Sequence, residues 1–468
     1  MSADAFALDL DGLLALLPRY ATEGPRYTSY PTAPVWQSDY GPDEFAADLG
    51  HEDVESSDGL SLYAHVPFCE SLCHFCACNR VITRDHGRAG AYLDSIEREV
   101  EAVRAAVRVP RVATQLHWGG GTPTWLAPDE LVRLFRSLTG AFPLREGAEI
   151  SIEVDPRVTT DEHVSALAEC GFNRISMGVQ DFDVSVQEAI RRIQPADLTG
   201  RLVEQSRKAG FESVNFDLIY GLPYQTVESF GRTLDTLFTL APDRIALYSY
   251  AHVTWVAKQQ RGFERTDLPD AATKLEIMLT AIRRFLQQGY VFVGLDHFAR
   301  PDDELATALA DRTLRRNFMG HTTQAGVDLL GFGPSAISEL RRSYAQNVRD
   351  VPGWQAAVGE RGLATMRGHR LSRDDLERRW VISRILCHSE LRAREFEEAF
   401  GRSFRSAFAT ELAALTEPAA DGLVEIDADG SLRVSPAGRL LARNLAMPFD
   451  AYLAAQRRSG ERMFSKTV

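Results

Sequence analysis

With 468 residues, 44% of them apolar and 25% charged, the chain has the composition of a globular protein with large cores. That length suggests two to three domains of ~150 residues, unless an α/β barrel takes ~250 by itself. A formal charge of −13, from 52 basic and 65 acidic residues, excludes a broad nucleic-acid footprint, and no uncharged apolar run reaches the ~18 residues needed to span a bilayer.

The opening MSADAFALDLDGLLALLPRY is acidic ahead of its apolar run and lacks the basic start of a secretory signal. The expectation is a cytoplasmic protein, where thiols stay reduced. After a short helix-like start, residues 1–57 read as an N-terminal arm. It contains PRYTSYPTA at 25–33, where Pro25 and Pro31 favour extended or looped chain.

From Leu60 to about Asp296, short β-branched or aromatic runs alternate with longer amphipathic segments. Strands are predicted at 60–66, 113–118, 149–154, 174–179, 213–218 and 244–249, with a seventh at 290–295. Helices such as 87–107 and 129–141 lie between them. This is βα repetition, and it predicts an α/β fold, an incomplete TIM-type (β/α)6 barrel over 58–365, with chemistry at the C-terminal strand ends. The distinctive residues obey that rule. The cysteine loop follows strand one, Gly119–Gly120–Gly121–Thr122 follows strand two, and Glu153 ends strand three. Gln180 and Asp181 follow strand four, Asp217 ends strand five, and Tyr250–Ala251–His252 follow strand six.

Beyond 366 the pattern turns to helices and then to GLVEIDADGSLRVSPAG, a hairpin with Asp429–Gly430 as its tight turn. A helical, winged-helix-like C-terminal domain over 366–468 is expected. Its charges are mixed and no basic recognition helix stands out, which favours a lid or packing role over DNA binding.

Three of the six cysteines, Cys69, Cys73 and Cys76, form C-x3-C-x2-C within YAHVPFCESLCHFCACN. Structural zinc usually takes two cysteine pairs separated by a dozen or more residues, and no second pair exists. Cys170 and Cys387 stand alone and read as core residues. Three thiolates instead leave one iron of a cubane cluster open to a small molecule. The spacing resembles the loop of the radical S-adenosylmethionine (AdoMet) superfamily. Cys78 reads as a lining residue.

Around this loop the glycines let backbone approach a ligand closely. Glu153 and Asp217 suit hydrogen bonds from ribose hydroxyls or an ammonium, or caps on the following helices. Arg192 suits a carboxylate clamp or a surface salt bridge. Tyr63 points either into the barrel or against helices. His65 and His74 read as packing or hydrogen-bonding residues rather than metal ligands.

The matches extend well beyond the loop. PRYTSYPTA, HWGGGTPT at 117–124, IEVDPR at 152–157, SMGVQDF at 176–182, NFDLIYGLP at 215–223, GLDHFARP at 294–301, DLLGFGPSAIS at 328–338 and GRLLARNLAMPFDAYL at 438–453 resemble the oxygen-independent coproporphyrinogen III oxidases. The resemblance implies a [4Fe–4S] cluster on Cys69, Cys73 and Cys76 and two AdoMet molecules per chain. Tyr63, Gly120, Glu153 and Ile337 would contact one AdoMet. Phe75, Gly121, Thr122, Gln180, Arg192, Asp217 and Ala251 would contact the other, with Glu153 and Arg192 as catalytic residues.

The implied reaction decarboxylates two propionates of coproporphyrinogen III to vinyls through a 5′-deoxyadenosyl radical, without oxygen, in haem biosynthesis. Its implied partners are a tetrapyrrole substrate and an electron-donor protein, and the enzyme is expected to be a monomer. The chain departs from the family pattern at Met319, where glutamine is expected, and at Ala77, where glycine is usual. Methionine cannot donate a hydrogen bond, so Met319 is what supports a same-scaffold enzyme with another substrate, such as a methyltransferase or cyclopropanase. A haem chaperone is a further alternative, but the chain has the PRYTSYPTA arm and lacks the chaperones' His-Asn…Tyr-Trp motif.

Overall fold

The computed structural model describes residues 12, 15–16, 19–51, 59–254, 257–324 and 326–453. Most of the helix-like start falls outside them. Six parallel strands carry the fold: β1 (Leu60–Val66), β2 (Ala113–Gly120), β3 (Leu144–Val154), β4 (Arg174–Gln180), β5 (Ser213–Tyr220) and β6 (Arg244–Ser249). They are adjacent in chain order within one twelve-stranded sheet. Helices cross over between most of them, including Arg88–Ala106, Pro128–Ala141 and Val227–Leu240. Their starts are set locally: Thr226 caps the last of these by accepting from the Ser229 N–H, and Thr160 caps Asp161–Glu169 from His163.

The seventh predicted strand exists, but with a different role. β7 (Val291–Gly294) pairs antiparallel with β8 (His297–Ala299), which pairs antiparallel with β6. The next chain segment forms a separate hairpin, β9 (Arg315–Asn317) and β10 (Gly320–Thr322). The parallel sheet is instead extended at its other edge, where β11 (Asp328–Phe332) lies against β1. Three antiparallel strands continue outward from it: β12 (Ile337–Glu339), β13 (Ser343–Asn347) and β14 (Thr365–Arg370). Pairing across 268 residues of sequence (Leu60 with Asp328) is not visible in local periodicity.

Alternation along the strands divides them into two chemistries. Ile150, Ile152 and Val154 of β3, and Val214, Phe216 and Leu218 of β5, join the core packed under the helices. Glu149, Ser151, Glu153, Asn215 and Asp217 point the other way and line one cavity. The lumen is therefore polar, unlike the aliphatic filling of a closed eight-stranded barrel.

A second core gathers the C-terminal helices around Phe396, Phe404, Phe408 and Phe449, and takes in Tyr20, Tyr27 and Tyr30 of the arm. The predicted hairpin is present as Val424–Ile426 paired with Leu432–Val434, with Gly430 at φ +94° in the turn. Cys387 is buried there, whereas Cys170 sits half-exposed at a helix end, against the expectation of a core position. The arm is tied at both sides. The Tyr27 hydroxyl donates to Asp450 Oδ2 (3.2 Å), and the Ala451 N–H donates to the Tyr30 hydroxyl (3.1 Å). Arg26 Nη2 donates to the Ser249 carbonyl at the end of β6 (3.4 Å). Among the described residues no helix is long and apolar enough to cross a membrane.

Candidate active site

The cysteine loop leaves the end of β1 and is pinned by backbone bonds. Val81 and Thr83 donate to the Pro67 and Cys69 carbonyls (2.7 and 2.9 Å), and the His74 N–H donates to the Ile190 carbonyl (2.9 Å). Gln259 donates to the Cys76 carbonyl and Gln260 to that of Phe75, so Phe75 sits over a small apolar cluster that includes Ile190 and Tyr250. The Gln260 amide also reaches the Ala251 carbonyl (3.2 Å), which joins the loop to the end of β6.

Each thiol has its own surroundings. Cys69 Sγ lies 3.4 Å from Thr122 Oγ1, and burial pushes its pKa up to about 11. Cys76 moves down to about 6, chiefly because the Cys78 thiol donates to it. Cys73 Sγ accepts from Arg157 Nη2 (3.4 Å) and Arg192 Nη1 (3.5 Å). Both guanidiniums are held by one carboxylate oxygen, Asp155 Oδ2, at 2.6 and 2.9 Å. Burial works to raise Asp155, but the two cations outweigh it and hold the carboxyl down at about 2. Among the described residues no three His, Cys, Asp or Glu side chains converge on a single-ion site. A cubane asks for something else, one thiolate per iron. Three separate thiols on one loop, with N–H donors on one sulfur, fit it.

The glycines are set by what lies against them. A Cβ on Gly119 would meet the Glu153 carboxylate at 2.8 Å, and one on Gly121 would meet Pro67 and Phe68 backbone at 2.7 Å. Gly120, at φ +111°, donates to Glu153 Oε2 (3.3 Å) and faces the His65 ring. Glu153 faces the open lumen. Enclosure in the barrel works to raise it, but His117, 3.5 Å away, and the Gly120 N–H outweigh this and hold it below the ordinary carboxylate range. Tyr63 is inside the barrel, stacked on His117 (centroids 5.9 Å apart) with its hydroxyl 3.1 Å from His65 Nδ1. His65 also reaches the Asn79 carbonyl at 2.9 Å, a hydrogen-bonding role as expected.

Neither Glu153 nor Asp217 caps a helix, since Thr160 and Thr226 do so. Asp217 accepts from Asn215 Nδ2 (2.9 Å) and Ser176 Oγ (3.3 Å), while enclosure and then the Glu153 charge push it up to about 7. Two carboxyls in one lumen thus differ in protonation near neutrality. The folded state holds this proton between about pH 4 and 7 where the unfolded chain has lost it, so Asp217 lowers stability as pH rises through that window. Asp217→Asn is expected to remove a slope of up to about 1.4 kcal/mol per pH unit. Urea midpoints of the apoprotein at pH 5 and pH 8 measure it.

Gln180 sits at φ +66°, its amide 2.8 Å from where a Gly178 Cβ would be, with Arg192 over the same glycine. Arg192 is not a surface salt bridge but a buried one, and it also donates to the Gly178 carbonyl (2.7 Å). Asp181 is fully buried on Thr233 and Gln225, away from the lumen chemistry. The Ile337 backbone packs over Gly331 beside β1. Met319 lines the lumen with Glu153 and Asp217.

Several site residues were not predicted: Asp155, Arg157, His117, and beyond β6 the groups Asp296, His297, Arg316 and His321. Asp-Pro-Arg directly after β3 is a signal for the first two, because a proline after a strand end fixes the turn that brings Arg157 back onto Asp155.

Residues 63–237 match the model of the radical SAM superfamily, and residues 371–441 match that of the HemN C-terminal domain. The chain is 45% identical over 459 residues to a Salmonella typhimurium protein, covering 98% of this chain and 99% of that one. It is 44% identical over 459 residues to an Escherichia coli protein at the same coverage, and 43% identical over 457 residues to one from Synechocystis at 97% of each. All three are named oxygen-independent coproporphyrinogen III oxidase. The solved structure of coproporphyrinogen III oxidase (HemN) from Escherichia coli, described as a radical SAM enzyme, superposes with a TM-score of 0.89 at 43% identity, over 94% of this chain and 98% of that one.

Proposed function

The chain belongs to the oxygen-independent coproporphyrinogen III oxidases of the radical SAM superfamily, and we propose from that premise that it decarboxylates two propionates of coproporphyrinogen III to vinyls, giving protoporphyrinogen IX. The observation that carries the reading is the three-cysteine loop at the end of β1, against Thr122 of the glycine turn, whose Gly120 bonds the lumen carboxylate Glu153. When bound, the cluster supplies the electron that cleaves AdoMet, and AdoMet supplies the radical that takes hydrogen from the propionate.

The protein's own part is placement. Cys69, Cys73 and Cys76 hold the cluster. The glycine turn at Gly119–Gly121, with Glu153 and Arg192, suits an amino-acid head group and ribose, and Tyr63, Ile337, Phe75, Thr122, Gln180, Asp217 and Ala251 are assigned to the same ligands. We assign two AdoMet molecules to it, which equilibrium dialysis of the reconstituted enzyme measures as a stoichiometry of two rather than one. The lumen walls and the arm exclude water and competing hydrogen donors. An electron-donor protein, a monomeric state and a cytoplasmic location complete the reading.

Anaerobic incubation with coproporphyrinogen III, AdoMet and dithionite is expected to give a product lacking two carboxyls by mass. Cleaved AdoMet with intact substrate would instead favour an enzyme acting on another molecule, and stable haem binding without vinyl formation would favour a chaperone. Near-full-length identity to proteins named as oxidases argues against both alternatives.

A further inference from the structure

Beyond β6 the lumen wall changes sign. Arg316 and His321 are direct cross-strand partners in the β9–β10 hairpin, so their side chains share a face. The His321 ring stands 5.1 Å from that of His297, edge to face, and His297 packs in turn on Tyr248 (6.0 Å). Arg26 of the arm lies over the Tyr248 ring and 3.7 Å from Asp296. Arg443, from the C-terminal helices, acts on the same Asp296 carboxylate and on Arg316. Three guanidiniums therefore gather around one carboxylate.

Arg316, His297 and His321 also keep hydrogen-bonding capacity in reserve. Arg316 Nε and Nη1, His297 Nδ1 and His321 Nδ1 are shielded from solvent without a hydrogen-bond partner. Donors shielded in this way are expensive unless a ligand meets them. Burial, then Arg316, pull His297 down to about 4, and burial lowers Arg316 itself.

The location matters as much as the charge. His297 and His321 line the lumen cavity with Glu153, Asp217 and Met319, and Arg316 lines an adjoining cavity under the arm. Asn317 and Thr322 border both. The lumen thus has an acidic wall suited to the cationic cofactor and an opposite wall on which three guanidiniums share a single carboxylate, Asp296.

We propose that Arg316, with His297, His321 and the flanking Arg26 and Arg443, forms a subsite that binds a propionate carboxylate of the tetrapyrrole and so sets which end of the substrate faces the cysteine loop. This rests on the reaction assigned above, since that substrate enters with more propionates than it loses. A planar guanidinium suits a carboxylate better than an ammonium does.

Arg316→Met is expected to raise KM for coproporphyrinogen about 30-fold, with a smaller loss in kcat, and Arg316→Lys to fall between the two. A second measurement uses the unaltered protein. Coproporphyrin III should quench its tryptophan fluorescence with an affinity about 30-fold tighter than its tetramethyl ester, which has the same ring and no charge. An unchanged KM in Arg316→Met, or an ester that binds as tightly as the free acid, would overturn the subsite while leaving the reaction assignment standing. A wild-type enzyme that leaves coproporphyrinogen untouched would overturn the assignment and the subsite with it.

Discussion

Cys73→Ser is expected to leave the protein folded but without a stable cluster after anaerobic reconstitution, and to lower turnover by about a thousand-fold or more, because a hydroxyl does not replace a thiolate as an iron ligand. Folding should survive for a local reason. The loop is held by backbone bonds to Pro67, Cys69 and Ile190 and by Gln259 and Gln260, none of which involves a sulfur. The informative comparison is between iron content and far-ultraviolet circular dichroism. Lost iron with unchanged secondary structure is the expected pair, and retained iron with full turnover would contradict the ligand assignment.

Asp155→Ala is expected to have the second-largest effect, and for two separable reasons. Arg192 and Asp155 are both buried, and removing the shared carboxylate leaves the Arg192 and Arg157 guanidiniums without their counter-charge. Breaking such a pair from one side costs about 3 kcal/mol or more, which a urea titration reads directly. The second effect is on the centre itself. The two arginines that donate to Cys73 Sγ are both held by Asp155. Donors and net charge at a ligating sulfur both tune the cluster, and the variant changes both, by releasing the two guanidiniums and by removing a negative charge beside Cys73, so the reconstituted variant should have a shifted reduction potential. Asp155→Asn keeps an acceptor but not the charge, and should fall between. A potential that does not move would mean that the arginines serve packing alone.

The parallel strands and the rim they form were legible in the sequence because both depend on local patterns. Alternation of two residues gives the strands, and loops at strand ends give the rim. The Cys-x3-Cys-x2-Cys spacing carried the cofactor chemistry for the same reason. What local pattern cannot carry is partnership. Nothing in residues 290–295 says that this strand pairs antiparallel with its neighbour, nor does anything in 328–332 say that it completes the parallel sheet beside residue 60. The same limit applies to the site. Arg192 was visible as a cation near the rim, but its carboxylate, Asp155, lies 37 residues away in another strand-end loop. The basic wall draws on residues 26, 297, 316, 321 and 443, with Asp296 among them as counter-charge, a set that only the folded chain assembles. The polar lumen was recoverable: Glu149, Ser151 and Glu153 alternate with Ile150, Ile152 and Val154, a period-two signal in which the interior face is the hydrophilic one.

The ties between Tyr27 or Tyr30 and residues 450–451 bear on how the enzyme is made. Synthesis runs from the first residue to the last, so the arm emerges first and its docking partner last. While the ribosome is still translating, the strands up to Ser249 can assemble and the Gln259–Gln260 turn can pin their cysteine loop, but the PRYTSYPTA stretch has no Asp450 to receive it. Iron delivery thus has a natural interval, with the thiols displayed and the mouth not yet strapped. Maturation by an assembly scaffold should accordingly be faster on a nascent or C-terminally truncated chain than on the finished one.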